Sequence, residues 1–200
     1  GIVDMCGTAL VPVVTPPADI ACEGTMTYVF TYTDCAGNTA DWSYVYTIDI
    51  PAFTLPADDA STVNCLADAQ VEPTPPVGIV DMCGTALVPV VTTPADIACE
   101  GTMTYVFTYT DCAGNTADWS YVYTIDIPAF TLPADDASTV NCLADAQVEP
   151  TPPAGIVDMC GTALVPVVTP PADIACEGTM TYVFTYTDCA GNTADWTYVY

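Results

Sequence analysis

The sequence lacks lysine, arginine and histidine entirely, while 25 of its 200 residues are acidic and its formal net charge is −25. Binding of nucleic acids and anionic membrane surfaces depends on basic side chains that neutralise phosphates. The composition therefore argues against nucleic acid, nucleotides and anionic membranes as partners. Salt bridges to basic side chains are also excluded, so the carboxylates must be solvated, hydrogen-bonded to backbone or bound to a cation.

Long apolar runs are missing as well. No stretch of about 18 uninterrupted apolar residues occurs, so we expect no transmembrane helix and no membrane insertion within this sequence. The sequence begins at Gly1 without an initiator methionine, and no signal-peptide pattern follows. The hydrophobic content of 52% nevertheless predicts a folded protein and not a disordered acidic tail.

Cysteine is abundant, with 11 residues in the chain. Zinc sites usually combine cysteine with histidine or use closely spaced cysteine pairs, and the sequence has no histidine and no Cys-x-x-Cys. The cysteines are therefore predicted to form disulfide bonds, which indicates an oxidising, extracellular setting.

The chain is a tandem repeat. The segment beginning Gly-Ile-Val-Asp-Met-Cys starts at Gly1, Gly78 and Gly155. The period is thus about 77 residues, and self-similarity at a fixed period is the signature of a repeat architecture. Near-identical copies are typical of arrays in which each unit contacts mainly its neighbours. Because the sequence opens and closes partway through a repeat, we expect it to be part of a longer mature polypeptide.

Proline-containing connectors suggest where each repeat begins. Proline ends sheet pairing and stiffens a short linker, so we place the boundaries near Pro51 and Pro128. The predicted domains are the C-terminal part of one repeat, a complete repeat, and a repeat lacking the end of its last strand: 1–50, 51–127 and 128–200.

Thr102–Ile127 predicts a β-hairpin. Residues rich in Tyr, Val, Thr, Phe and Trp alternate with period two on both sides of a short Gly-Asn turn. Further strands are predicted at 60–65, from 69 to 71, and at 85–92. With few helix signals, the expected fold is all-β: tandem antiparallel immunoglobulin-like β-sandwiches.

One face of the hairpin carries a row of aromatic side chains. We expect this row to face the core. If it faced outward, the exposed rings would favour an array of carbohydrate-binding modules or a surface for self-association. The aromatic row consists of Tyr105, Phe107, Tyr109, Trp119, Tyr121 and Tyr123.

Geometry limits how the four cysteines of a repeat can pair. Cys99 and Cys112 flank one strand and lie about 30 Å apart, whereas a disulfide needs Cα atoms within about 7 Å. An up-and-down chain places Cys65 with Cys99 at one end and Cys83 with Cys112 at the other. The predicted pairs are Cys65–Cys99, Cys83–Cys112, Cys142–Cys176, Cys160–Cys189 and Cys6–Cys35, with Cys22 bonded to an upstream repeat. The alternative is Cys65–Cys112 with Cys83–Cys99.

The hairpin sequence TYTDCAGNTADWSYVYTIDI resembles the end of hyalin-repeat (HYR) domains. Asn64-Cys65 and Asp81-Met82-Cys83-Gly84 resemble the early elements of the four-cysteine HYR-like repeats of bacterial secreted proteins. The resemblance covers the whole repeat unit. It implies an immunoglobulin-like sandwich in large cell-surface or secreted adhesive proteins. The absence of basic residues departs from it, so family behaviour that depends on basic surfaces is not carried over.

Calcium is the one cofactor that the acidic residues suggest. Asp126 ends one repeat, Asp135 and Asp136 open the next, and Asp158 and Asp188 lie in loops expected nearby. Carboxylate oxygens that converge at a junction would suit Ca²⁺. The alternative is that Asp188 caps the hairpin turn through backbone N–H groups and that the others are solvated.

Hydroxyl-rich and proline-rich segments also admit O-glycosylation, so glycans are possible partners. The candidate sites are Thr15, Thr74, Thr151 and Thr108.

These features predict a structural protein outside a bacterial cell: a fibre or rod-like adhesin that assembles with itself. An enzyme is not expected, because carboxylates are the only candidate bases and every cysteine is assigned to a disulfide. A hydrolase would need paired carboxylates in a concave pocket.

Overall fold

The computed structural model describes residues 1–200 and is nearly all β, with 38% strand and 4% helix. This confirms the predicted all-β fold of tandem repeats. The elements in chain order are β1 (Val13–Thr15), β2 (Gly24–Thr33), β3 (Thr39–Ile48), β4 (Asp59–Val63), α1 (Leu66–Ala69), β5 (Val90–Thr92), β6 (Gly101–Thr110), β7 (Thr116–Ile125), β8 (Asp136–Ala137), α2 (Leu143–Ala146), β9 (Val167–Thr169), β10 (Thr181–Thr187) and β11 (Thr193–Val199).

Each repeat contributes one sheet built on its hairpin. The strand orders are β1-β2-β3, β4-β7-β6-β5 and β8-β11-β10-β9. The hairpin strands are antiparallel, whereas the opening strand of a repeat runs parallel to the last hairpin strand, as β4 does with β7. The two four-stranded sheets are therefore mixed, and the hairpin strands occupy their centre.

The hairpin of the second repeat forms as predicted, as β6 and β7. Its inward-facing side chains alternate with exposed or half-buried ones along β6, and those of Phe107 and Tyr109 are fully buried. On β7 Trp119 is buried, while Tyr121 and Tyr123 are half-buried. The aromatic row faces the core in this repeat, as expected.

The strand predicted from 69 to 71 is wrong, because helix α1 ends at Ala69 and a turn and a bend follow at residues 70 and 71. Leu-Ala-Asp-Ala contains good helix formers, and Ala69 is completely buried, with its carbonyl accepting a hydrogen bond from the Tyr105 hydroxyl. The strand predicted at 85–92 shortens to β5, since Pro89 cannot donate a ladder hydrogen bond. Val80 and Ala86 form an isolated antiparallel bridge instead.

The chain divides into two compact units that do not coincide with the repeats. The first unit is Gly1–Ala57, Pro75–Val91 and Phe107–Trp119, and the second is Asp58–Thr74, Thr92–Val106 and Ser120–Tyr200. The domain boundaries near Pro51 and Pro128 stay a prediction.

The second unit contains two apolar clusters. One is the aromatic core of the third repeat: Phe130, Tyr182, Phe184, Tyr186 and Trp196. The other is made of Ala69, Met103, Ile125 and Ile127 from the second repeat, and Ala190 of the third repeat packs against it together with Cys99. Packing in this second cluster therefore crosses from one repeat to the next.

Truncation of Phe184 tests the core of the third repeat. Its ring is 1% exposed and lies 5.5 Å from the Trp196 ring, so Phe184→Ala should lower the free energy of unfolding by about 3–5 kcal/mol. Urea denaturation followed by tryptophan fluorescence measures the change. Val165→Ala, at a position 83% exposed, is the control and should change stability by less than about 0.5 kcal/mol. Equal effects of the two substitutions would contradict the assigned core.

Candidate functional site

Two cysteines of each repeat sit on turns that an aspartate holds together. Asp81 Oδ1 accepts hydrogen bonds from the backbone N–H groups two and four residues later, at 2.9 and 2.8 Å. Asp111 Oδ1 does the same at 3.0 and 2.9 Å. Gly84 and Gly114 close these turns with φ of +83° and +87°, in the left-handed region that favours glycine. Each turn thus presents an exposed cysteine on a fixed backbone, as at Cys83 and Cys112 of the second repeat.

In the hairpin turn, an asparagine side chain adds a further hydrogen bond to the aspartate carboxylate. The Asn115 side-chain amide donates to Asp111 Oδ2 at 2.9 Å. This hydrogen bond, together with those from backbone N–H groups, outweighs desolvation and holds the pKa of Asp111 below its ordinary value of 3.8. The Asn38 amide lowers the pKa of Asp34 in the same way in the first repeat. Both turns are therefore organised around a charged carboxylate at neutral pH.

The disulfide bonds join consecutive repeats. Cys22 bonds to Cys112 with Cα atoms 5.7 Å apart, Cys65 bonds to Cys160 at 5.5 Å, and Cys99 bonds to Cys189 at 5.8 Å. These separations lie within the usual range for a disulfide. The other cysteines are free and exposed: Cys6, Cys35, Cys83, Cys142 and Cys176.

The pairing predicted from the sequence is wrong. The assignment of Cys65 and Cys99 to one end of the repeat, and of Cys83 and Cys112 to the other, agrees with the structure. Val63 at the end of β4 pairs with Ile125 at the end of β7, which places the following Cys65 at the end of the sheet opposite the hairpin turn. Every bond joins a cysteine at that opposite end to a turn cysteine of the next repeat. The prediction assumed that each bond stays inside one repeat. The structure forms none of the predicted bonds Cys65–Cys99, Cys83–Cys112, Cys142–Cys176, Cys160–Cys189 and Cys6–Cys35, nor the alternative Cys65–Cys112 with Cys83–Cys99, and Cys22 bonds downstream.

A hydrogen bond accompanies each bridge to a hairpin turn. Asn115 Nδ2 also donates to the carbonyl of Ile50, at 3.0 Å, and Asn192 Nδ2 donates to the carbonyl of Ile127 at the same distance. Ile50 and Ile127 follow the last strand of the preceding repeat and are buried. One amide therefore ties its own turn and the neighbouring repeat together. The sequence showed the Asp-x-x-Gly-Asn pattern, but the role of the asparagine was missed because its partner lies 65 residues away.

The aromatic row is covered in the second and third repeats. The Trp119 indole N–H donates to the carbonyl of Ala57 at 2.9 Å, and that of Trp196 donates to Ala134 at 3.0 Å. Trp119 is only 4% exposed, which removes the surface that an array of carbohydrate-binding modules would need. In the first repeat the equivalent Trp42 is 52% exposed, because residues 1–50 contain no counterpart of the segment around Ala57 that covers Trp119. It lines an open groove with Tyr28, Phe30, Tyr44 and Tyr46.

Comparison with known families settles the nature of the repeat. A model of the HYR-like domain with 4 cysteines matches residues 1–48, 53–125 and 130–200. The chain belongs to this family. The HYR-like resemblance inferred from the sequence is thereby confirmed, and the matches cover nearly the whole chain in three tandem copies.

No curated protein matches the chain. Among solved structures it is similar to a Ca²⁺-stabilised adhesin that helps an Antarctic bacterium reach out and bind ice, at 17% sequence identity and a TM-score of 0.26. The match covers 88% of this chain and 55% of the adhesin chain, so the HYR-like array spans about half the length of that protein. Calcium and ice binding are properties of that adhesin.

The predicted calcium ligands do not converge in the HYR-like repeats. Asp158 and Asp188 bond the backbone of their own turns, as the capping alternative expected for Asp188. Asp135 accepts from the Thr197 N–H at 2.8 Å, and Asp136 accepts from the N–H of the next residue. Asp126 is exposed. No group of three or more His, Cys, Asp or Glu that could hold a metal ion forms, which corrects the junction calcium site.

Three of the four threonine candidates for glycosylation are exposed, namely Thr15, Thr74 and Thr151. Thr108 is half-buried, and its hydroxyl donates to Asp118 Oδ1 at 2.6 Å. Glycosylation stays a prediction. Neither helix has the length and apolar character needed to span a membrane.

The lowered pKa of Asp111 predicts how the hairpin turn responds to acid. A carboxyl group whose pKa is lower in the folded than in the unfolded chain stabilises the fold fully above its ordinary pKa, and this stabilisation is lost as the pH falls through the folded pKa. Asp111→Asn should therefore lower the Tm at neutral pH, and its difference from the wild type should shrink as the pH drops below about 3.8. Thermal unfolding from about pH 2 to pH 7 measures both curves.

Glu72→Gln removes the same charge at an exposed position and serves as the control for overall repulsion among the carboxylates. We expect its Tm to stay close to that of the wild type at neutral pH. A Tm difference for Asp111→Asn that is the same at every pH would contradict the assigned role of the carboxylate.

Proposed function

We propose that this chain is a segment of an extracellular structural fibre or rod-like adhesin of a bacterium, in which HYR-like repeats are joined in series by pairs of disulfide bonds. The observation that supports this most directly is that all three disulfides connect one repeat to the next. Bonds of this kind make successive repeats covalently continuous. They form no pocket in which a substrate would react.

The free cysteines fit the same scheme. Advancing by one repeat period, Cys142 corresponds to Cys65 and Cys176 to Cys99, so a following repeat would supply the partners of both. Cys6 and Cys83 correspond to Cys160, and Cys35 corresponds to Cys189, so their partners belong to a preceding repeat. In a longer array each junction would carry two bridges, one of the Cys65–Cys160 type and one of the Cys99–Cys189 type.

An oxidising compartment is needed for such a scheme, which supports a location outside the cell. Cytosolic thiols are kept reduced, whereas secreted and surface proteins retain their disulfides. The resemblance to repeats of bacterial secreted proteins supports a bacterial source. Exposed threonines beside prolines, Thr15, Thr74 and Thr151, are the proposed sites of O-linked glycans.

A mechanical function suits the chemistry of the chain better than catalysis. There is no His, Lys or Arg to act as an acid, base or anion-binding group. The carboxylates with fixed positions, such as Asp81 and Asp111, bond the backbone of their own turns. We propose that the repeats set distance and present an acidic surface, and that salt promotes lateral association by screening their repulsion.

Peptide mapping of the natively purified protein tests the bonding scheme. Trypsin has no cleavage site because lysine and arginine are absent, whereas cleavage before aspartate places each cysteine of a repeat on its own peptide. Without reductant we expect ASTVNCLA-type peptides bonded to DMCGTA-type peptides, and DIACEG-type peptides bonded to DCAGNTA. Bonds of ASTVNCLA to DIACEG and of DMCGTA to DCAGNTA would instead indicate the pairing within repeats that the sequence predicted. They would contradict the proposal that disulfides join successive repeats.

Location is tested separately with an antibody against the repeat. On intact, unpermeabilised cells of the source bacterium we expect staining that matches the signal from permeabilised cells. Staining that requires permeabilisation would overturn the extracellular assignment.

A further inference from the structure

The bonds create a short covalent route through the repeats. Cys22 bonds to Cys112, and Cys99 bonds to Cys189, while Cys99 and Cys112 stand at the two ends of a single strand, β6. A path along the covalent structure therefore crosses the second repeat through this strand and its short flanks. The remaining residues of the repeat, which form most of its length and include β4, β5 and β7, lie outside this path.

The segment from Cys99 to Cys112, through which the path crosses the repeat, is already an extended strand. Ten of the residues between Cys99 and Cys112 form β6, which lies between β7 and β5 in the sheet. A β-strand rises about 3.3 Å per residue, close to the maximum of about 3.3–3.6 Å for a fully stretched chain. Pulling on the two cysteines can therefore lengthen this segment very little.

This strand is also anchored by its side chains. Met103, Tyr105, Phe107 and Tyr109 alternate along it, and all four side chains are buried. The hydroxyl groups of the two tyrosines donate to the carbonyls of Ala69 and Pro76, respectively. The segment between the bridging cysteines is thus held on both edges and on its inner face.

We propose that tension along the array bypasses the folded cores and passes from disulfide to strand to disulfide, through the first hairpin strand of each repeat. This inference rests on the proposed function, because it describes how a series of bridged repeats carries force. The equivalent strands are β2, between Cys22 and Cys35, and β10, between Cys176 and Cys189. The array is then nearly inextensible, and each repeat can remain folded while the fibre is under load.

The second bond type provides a longer route. In repeats bridged on both sides it would cross through the segment from Cys142 to Cys160, or its equivalent from Cys65 to Cys83, which contains more residues than the segment from Cys99 to Cys112. This longer segment contains a helical turn, α1 or α2. It is therefore not extended, and its ends can move further apart before the segment becomes taut. The bond between Cys65 and Cys160 consequently carries no tension while the shorter route is intact, and it carries tension when that route breaks.

Single-molecule pulling on the full chain of 200 residues, held at its two ends with free thiols alkylated, tests this route. In the oxidised wild type the shortest path contains only the residues before Cys22, between Cys99 and Cys112, and after Cys189. This path of about 45 residues, together with the two disulfides and their Cα separations of 5.7 and 5.8 Å, should not extend beyond about 175 Å. With reductant the extended length should rise to about 720 Å, the length of the whole chain.

Three double variants separate the routes. Cys99→Ser with Cys189→Ser leaves the Cys65–Cys160 bond as the shortest route, so the path grows to about 104 residues and about 370 Å. The matched control, Cys65→Ser with Cys160→Ser, should keep the wild-type length. Cys22→Ser with Cys112→Ser breaks the short route at its other bond and should also reach about 370 Å.

Three results would overturn the proposal: oxidised wild type extending beyond about 175 Å, a Cys99→Ser, Cys189→Ser variant that stays as short as the wild type, or a control that lengthens. Failure of the extracellular function is distinguishable. Antibody staining that requires permeabilisation would reject that function and leave all of these lengths unchanged.

Discussion

The structure depends on a covalent bond between the end of one repeat and a turn of the next. A single repeat is short and buries only a modest core, and the absence of basic residues leaves no side-chain salt bridge to hold repeats together. The carboxylates of neighbouring repeats repel each other instead. A disulfide does not depend on charge or ionic strength, so it keeps the repeats joined where electrostatics would separate them.

The aspartate turns make this bond possible. A disulfide forms only when two Cα atoms come within about 7 Å in a suitable orientation, so a mobile loop would meet its partner rarely. In the hairpin turn, Asp111 fixes the backbone around Cys112, and the Asn115 amide reaches the carbonyl of Ile50 in the preceding repeat. The same side chains that shape the turn therefore also place it against its neighbour.

The sequence predicts features that arise from local patterns. Alternation identified the hairpin and its buried row, and chain direction assigned Cys65 and Cys99 to the same end of the repeat. The bonding partners could not be predicted, because near-identical repeats offer equivalent cysteines in the same copy and in the next. Helix α1 was missed since its four residues depend on the burial of Ala69. The calcium site was wrong because backbone N–H groups already bond four of its five carboxylates, those of Asp135, Asp136, Asp158 and Asp188.

Equivalence of the cysteines also explains why near-identical repeats suit such an array. In the proposed array each junction uses the same two bond types, and the bond of Cys99 with Cys189 joins the same positions of the repeat as the bond of Cys22 with Cys112, with a sequence separation of 90 in both. Gain or loss of a whole repeat therefore leaves a partner for every cysteine inside the array. A pairing scheme specific to each position would lose a bond at every such event. Variation in copy number thus changes the length of the series and preserves the continuity of its covalent path.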